Sequence, residues 1–283
     1  MPAPAIPDDL LARTAPPGSS LDYALRLAPE QQRRPLQAIA AFTSEIRRIP
    51  LSTQEPDVAR AKLHWWRTEL ARILEGGGEH PLAAPLAAAV HDDQLPGAEL
   101  RAVLDEADRT LDGDRPDTFA EQRELTERHA AAPLRLAARV LVGDDSATGY
   151  ATALGSAIAL TRSLRLQGLA ARYGDSDLPR ETLRGAGVPA EGALLQADGT
   201  ALPSLLRALD AQAGAIEPLF SAAGRRAPTD RAAARALRPV TAYAALHQAL
   251  LLEIRRRGPA ELIRGRLTLT PLRKVWVAWR GRL

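Results

Sequence analysis

The chain has 283 residues, with 37 basic and 34 acidic side chains and a formal net charge of +3. It contains no cysteine, which excludes disulfides, thiol catalysis and cysteine-ligated zinc. Ala and Leu dominate the 46% hydrophobic fraction and aromatics reach only 4%, so helix formers far outweigh strand formers. An all-α protein is expected. Acidic and basic residues are interleaved with no single-sign tract, so no nucleic-acid footprint is indicated. His64, His80, His91, His129 and His247 show neither HExxH nor any other ligand spacing, so no histidine metal site is expected. No apolar run approaches a membrane span, and "MPAPAIPDDLLARTAPPGSS" lacks the basic-then-apolar order of a secretory leader. A cytoplasmic protein is expected, either free or peripheral to a membrane.

In chain order, residues 1–18 are rich in Pro, Ala and Gly and are expected to form a flexible tail, leaving 19–283 as one domain. A helix is predicted from Pro35 to Pro50, with Leu36, Ile39, Ala40 and Ile46 on one face. Pro50 should stop it, because a residue before proline avoids the α region. Pro56 opens a long helix, "DVARAKLHWWRTELARIL", with Leu63, Trp66, Leu70 and Ile73 on a shared face and Gly76–Gly78 at its end. A short helix follows in "HPLAAPLAAAVHDDQLP", then one with an acidic side in "GAELRAVLDEADRTLDGD". "TFAEQRELTERHAAAPLRLAARVLVG" reads as a helix kinked at Pro133. "SATGYATALGSAIALTRSLRLQGLAARYG" is long and rich in small residues, and should lie in the core. A loop with a short helix and three further helical stretches complete nine or ten helices in one bundle.

Several of these segments, in this order, resemble the squalene/phytoene synthase family. They are "AIAAF" with "EIRRIP", "DVARAKLHWWRTELARIL", "EHPLAAPL", "LGSAIALTRSLR" with "GDSDLP", and "PLRKVWVAW". The resemblance runs from about Leu21 to the end. It implies the all-α, single-domain bundle of isoprenoid (terpenoid) synthase type. It further implies two aspartate-rich motifs on facing helices, where Mg²⁺ binds the diphosphates of prenyl substrates. Hard carboxylate oxygens suit that ion, and Asp at i and i+4 shares one helical face. This chain departs from the pattern. Where the resemblance expects aspartates in the first motif stand Arg47, Arg48 and Leu51; where it expects acids in the second stand Leu166, Leu169 and Ala170. Arg165, Gly174, Leu178 and Pro179 match the family, whereas Asp177 replaces an expected tyrosine. "LDEADRTLD" and "LTPLRKVWVAWR" also resemble a motif-lacking branch, that of mitochondrial complex I assembly factor 6.

The resemblance implies a pseudoenzyme with no catalytic residues, no metal and no cofactor. Its partners would be a prenyl diphosphate, an anionic lipid or a membrane complex under assembly, and its place the cytoplasm or the face of the inner membrane. The alternative is an active prenyltransferase, condensing prenyl diphosphates head to head, with non-standard ligands. Arg47, Arg48, Arg162 and Arg165 are the candidate anion-binding residues; the competing reading has Arg47 and Arg48 pointing to solvent and complementing the helix dipole. Phe42, Trp65, Trp66 and Gly155 are candidate pocket-lining residues; the competing reading is core packing. Asp105, Asp108 and Asp112 share a face, read either as a substitute metal site or as a solvated acidic surface. Leu272, Val275, Trp276 and Trp279 form a stripe that either lies in a membrane interface or docks on the core.

Overall fold

The computed structural model describes residues 5–53, 55–92, 94–189, 193–265, 267–281 and 283. Helix α1 spans Asp8–Thr14, α2 Ser20–Arg26, α3 Glu30–Ser52, α4 Pro56–Leu74, α5 Ala83–Asp92, α6 Gly97–Asp112 and α7 Phe119–Leu125. A π-helical turn, Thr126–Ala130, leads into α8, Ala132–Val142. Then come α9 Thr148–Arg172, α10 Arg180–Gly185, α11 Pro203–Gly224, α12 Arg231–Ala236, α13 Arg238–Arg257, α14 Ala260–Arg264 and α15 Pro271–Arg280. Among the described residues the only β-pairing is an isolated bridge between Leu195 and Ala201. The all-α expectation holds.

Helix α9 is the axis, touching α8, α11, α13, α14 and the π-turn. Its buried residues extend along almost its whole length, from Tyr150 to Ala171. One hydrophobic cluster runs from Ile6 to Ala278, so a single core joins both ends of the chain. Leu63, Trp66, Leu70 and Ile73 all face that core from α4, as their spacing predicts.

Four expectations need correction. The tail is ordered over Asp8–Thr14: Asp8 and Asp9 suit the positive end of α1, and Leu10 is buried where α1 meets α3. Met1–Pro4 lie outside the described residues. Pro35 does not open α3, and Pro50 does not stop it. Each proline only deprives one carbonyl, of Gln31 or Ile46, of its in-helix donor. The end of α3 is held instead by Ser52, whose hydroxyl donates to the Arg48 carbonyl at 2.8 Å. The segment before Pro133 breaks at the π-turn rather than kinking at the proline, which sits in the first turn of α8, where an N–H is not needed. Finally, "DRAAARALRPVTAYAALHQALLLEIRRRG", one of the three further helical stretches expected, is two helices, α12 and α13, parted at Leu237 ahead of Pro239.

The last helix is fastened by a buried charge. Glu253 of α13 accepts from Arg256 Nη2 at 2.6 Å and also bonds Arg257 and Arg273, the latter from α15. The hydrogen bonds of Arg256 and Arg273 hold the Glu253 carboxyl well below the usual carboxylate range. Its contribution to stability is therefore complete above the ordinary carboxylate pKa and is lost as pH falls below it. The arginines are partly in water, which discounts the effect. Glu253→Gln should lower the unfolding free energy by roughly 1–2 kcal/mol at neutral pH. Limited proteolysis should then release α15 before the rest of the chain is cut.

Candidate functional site

A cavity of about 760 Å³ lies between α3, α8, α9 and α13. The α1–α2 junction and the segment entering α15 complete its wall. Its polarity follows from helical spacing. On α3 the lining residues are Leu36, Ile39, Ala40, Thr43, Ser44, Arg47, Arg48 and Leu51, a single stripe that passes from apolar to cationic. On α9 they are Gly155, Ile158, Ala159, Arg162 and Arg165, with the same order. The apolar stretch on α3 from Leu36 to Arg47 is roughly 16 Å long at the helical rise per residue. The cavity thus has an apolar body and a positively charged end.

Six cationic side chains line it: Arg13, Arg47, Arg48, Arg162, Arg165 and Lys274. No Asp or Glu is among the described lining residues. Arg13 and Arg48 are paired outside the lining, with Asp9 at 3.4 Å and Glu45 at 2.6 Å. Arg47 donates from Nη2 to the Ala130 carbonyl at 2.8 Å. That carbonyl is available because the chain passes from the π-turn into α8: the Leu134 and Arg135 N–H groups both bond Ala131 instead. Arg162 makes no hydrogen bond or ion pair among the described residues. Burial, then the neighbouring charge of Arg162, lowers the pKa of Arg47 to about 10, so it stays charged at neutral pH.

His247 of α13 completes the cationic end. Its Nδ1–H donates to the Tyr243 carbonyl at 2.9 Å, which leaves Nε2 as an acceptor. Burial lowers its pKa to about 4, and the charges of Arg162 and Arg165 act in the same direction. It is neutral at pH 7.

The candidate anion residues Arg47, Arg48, Arg162 and Arg165 all reach one cavity, and Gly155 lines it with them. Gly155 is also a packing residue: a Cβ there would stand 2.6 Å from the Ala131 Cβ and 2.7 Å from its Cα. Phe42, Trp65 and Trp66 are absent from this lining, which corrects the pocket expectation for them. Phe42 is fully buried, its ring 5.6 Å edge-on from Trp66, and Trp66 packs on His80 at 4.5 Å. The i, i+4 geometry from Phe42 to Ile46 turns Phe42 away from the Ile39–Thr43 face and into α4. Trp65 and Trp66 instead floor a separate groove with Glu45 and Lys62.

The acidic face of α6 is neutralised across the helix pair. Arg67 of α4 bonds Asp105 at 2.8 Å and also Asp108, and Arg60 bonds Asp112 at 3.3 Å. Among the described residues no three His, Cys, Asp or Glu side chains cluster as a metal site requires. The donors of the cavity do not fit Mg²⁺ either, since that ion takes oxygen ligands and the cavity offers guanidinium groups where carboxylates would be needed. Sequence reasoning missed His247, Tyr243, Arg13 and Lys274 as lining residues. Each stands in an ordinary amphipathic context, and only the packing of α1, α13 and α15 brings them to this cavity.

The sequence profile described as squalene/phytoene synthase matches residues 15–273. No curated protein sequence gives a significant match. Among solved structures, a dehydrosqualene synthase in complex with ligand is 19% identical, with a TM-score of 0.78 over 93% of this chain and 90% of its own. The squalene synthase HpnC from Alicyclobacillus acidocaldarius is 19% identical, with a TM-score of 0.70 over 88% and 92%. YisP from Bacillus subtilis subsp. subtilis strain 168 is 18% identical, with a TM-score of 0.66 over 96% and 92%. At such identities the likeness is one of fold.

Two outcomes follow from this geometry. Gly155→Ala should destabilise the protein by about 1–3 kcal/mol, despite the better helix propensity of Ala, because the added methyl meets Ala131 backbone. Thermal unfolding measures this. The depressed pKa of His247 means that the unfolded chain takes up a proton between pH 6.5 and about 4 while the folded chain does not. Stability should fall through that window by on the order of 3 kcal/mol from this group, and denaturation of His247→Gln across the same pH range should show a shallower decline.

Proposed function

The chain belongs to the squalene/phytoene synthase family, and from that premise we propose that it is a non-catalytic binding protein for an amphiphile with an anionic head and an apolar tail, a prenyl diphosphate or an anionic lipid. The observation that carries this reading is the carboxylate-free cationic end of the cavity, continuous with its apolar body. Burial first, and the neighbouring charge of Arg162 second, lower the pKa of Arg47, so a bound anion would offset both the lost hydration and the repulsion. Arginine binds phosphate oxygens directly through paired N–H groups and needs no metal between them.

The departure at the motif positions supports the same reading. Arg47 and Arg48 stand on α3, and Leu51, Leu166 and Leu169 are exposed leucines, 61%, 38% and 51% accessible. None of these side chains offers oxygen to a divalent cation. We place the protein at a membrane surface, where such amphiphiles reside; no described helix is long and apolar enough to cross one. The stretches Leu104–Asp112 and Leu269–Arg280, which resemble mitochondrial complex I assembly factor 6, favour a second reading in which the same protein serves a membrane complex under assembly.

Calorimetry with farnesyl diphosphate in the presence of a chelator tests the proposal. Binding should be metal-independent and should weaken strongly as salt rises from about 0.01 M to about 1 M, over which the screening length falls from about 30 Å to about 3 Å. The Arg47→Ala/Arg165→Ala pair should lose roughly ten-fold or more in affinity. Arg162→Ala should lose affinity with no loss of stability, since that guanidinium holds nothing in the described fold. Steady release of diphosphate with Mg²⁺ or Mn²⁺, abolished by chelator, would instead establish the active prenyltransferase.

A further inference from the structure

We propose that the outward stripe of α15 is the surface by which this protein lies on an anionic membrane. The inference rests on the membrane-surface part of the reading above and is independent of what the cavity holds. Leu272, Val275, Trp276 and Trp279 recur at i, i+3, i+4 and i+7, so they form one face of α15. That face is open: Leu272 is 84% exposed, Trp279 71%, Trp276 54% and Val275 49%. Two of the four tryptophans of the chain are thus spent on a ten-residue helix facing water.

The orientation is fixed by contacts on the other side. Val277 and Ala278 are buried against the bundle, where α15 packs on α13 and α2. Arg273 bonds the buried Glu253, Lys274 Nζ donates to the Gly18 carbonyl at 2.9 Å, and Arg238 Nη2 donates to the Trp279 carbonyl at 3.2 Å. Rolling the stripe inward would break all three, so its exposure is built in.

Charge and residue type together select the occupant. From Leu262 to Leu283 the sequence has six Arg or Lys residues and no acidic one. Arg235, Arg238 and Arg280 border a shallow groove together with Trp279, and the Arg280 guanidinium lies 5.0 Å over the Trp276 ring. Tryptophan partitions to the headgroup level of a bilayer, and arginine beside it meets lipid phosphates. The start of α15 and the segment before it also reach the cavity: Thr268, Leu269 and Lys274 are part of its wall. A bilayer under α15 would therefore stand next to the apolar body of the cavity. The family profile stops at residue 273, so the stripe lies almost wholly beyond what the profile describes.

Flotation of the full chain with vesicles decides the matter. The protein should float with vesicles of phosphatidylglycerol and phosphatidylcholine and stay behind with phosphatidylcholine alone, with a blue shift of tryptophan emission on the anionic vesicles only. Trp276→Ser/Trp279→Ser, both exposed positions, should keep the far-ultraviolet circular dichroism of the parent and lose about ten-fold or more in partitioning. Trp276→Ser/Trp279→Ser, outside the cavity lining, should bind farnesyl diphosphate as the parent does in calorimetry, so failure of the cavity reading and failure of this one are told apart. Absence of flotation overturns the proposal, as does equal flotation of the double variant. A parent dimer that the double variant converts to monomer, without vesicle binding by either, would assign the stripe to a second copy of the chain and also overturn it.

Discussion

Two backbones come so close to α9 that no side chain fits between. At Gly155 the neighbour is Ala131, and at Gly168 a Cβ would overlap the Leu262 carbonyl of α14. The rest of the molecule is arranged around these approaches. The first seats the π-turn and α8 against α9, and it places the Ala130 carbonyl where Arg47 of α3 reaches it. The second seats α14, from which the chain continues through Thr268 and Leu269 along the cavity wall into α15. The small residues of α9 therefore set both the cationic end of the cavity and the position of the terminal helix. Close packing of this kind is intolerant of a single methyl, because interiors are filled to crystal-like density.

The electrostatic design of the cavity follows from what is missing around its charges. Several guanidinium groups elsewhere in the bundle are matched by carboxylates: Arg67 with Asp105 and Asp108, Arg135 with Glu99 at 2.6 Å, Arg273 with Glu253. In the cavity Arg47 meets only a carbonyl and lies within the field of Arg162. The two patterns are separate solutions to placing arginine in a protein. Paired arginines hold helices together, whereas a cavity lining that gathers cationic side chains and no described Asp or Glu has a positive potential directed into its volume. The neutral His247 is the corollary, since an imidazolium beside Arg162 and Arg165 would add to the repulsion.

The outer face of α15 obeys the same logic in reverse. Glu253 draws Arg273 to the bundle side, and the apolar stripe on the opposite side of a ten-residue helix is then left to the surroundings. A helix docked through two small apolar residues and three polar contacts would ordinarily be turned to bury its tryptophans. Here the contacts of Arg273 with Glu253, Lys274 with the Gly18 carbonyl and Arg238 with the Trp279 carbonyl together hold the opposite face inward.

Much of the fold was legible because periodicity and composition speak about local structure. The Leu63–Trp66–Leu70–Ile73 face, the buried small-residue helix α9 and the all-α class follow from spacing and propensity, which need no knowledge of neighbours. The collinear segments likewise identified the family, whereas whether Arg47 and Arg48 face a cavity or solvent was left open by the sequence and decided by the packing of α3. What spacing could not convey was which face meets which partner. Phe42 and Trp66 fit a pocket or a core equally well as residues, and the packing of α4 on α3 put them in the core. Pro50 reads as a helix stop, yet α3 runs past it, since one lost hydrogen bond in a last turn is tolerated. By itself the sequence determined the all-α class, most of the helices and their apolar stripes, all properties of residues within about two turns of one another. Only the tertiary structure decided that Arg47 bonds Ala130, that His247 and Lys274 join the same cavity, and that the α15 stripe faces outward. Those outcomes depend on contacts between residues far apart in the chain, where close packing and buried charge, rather than local propensity, set the geometry.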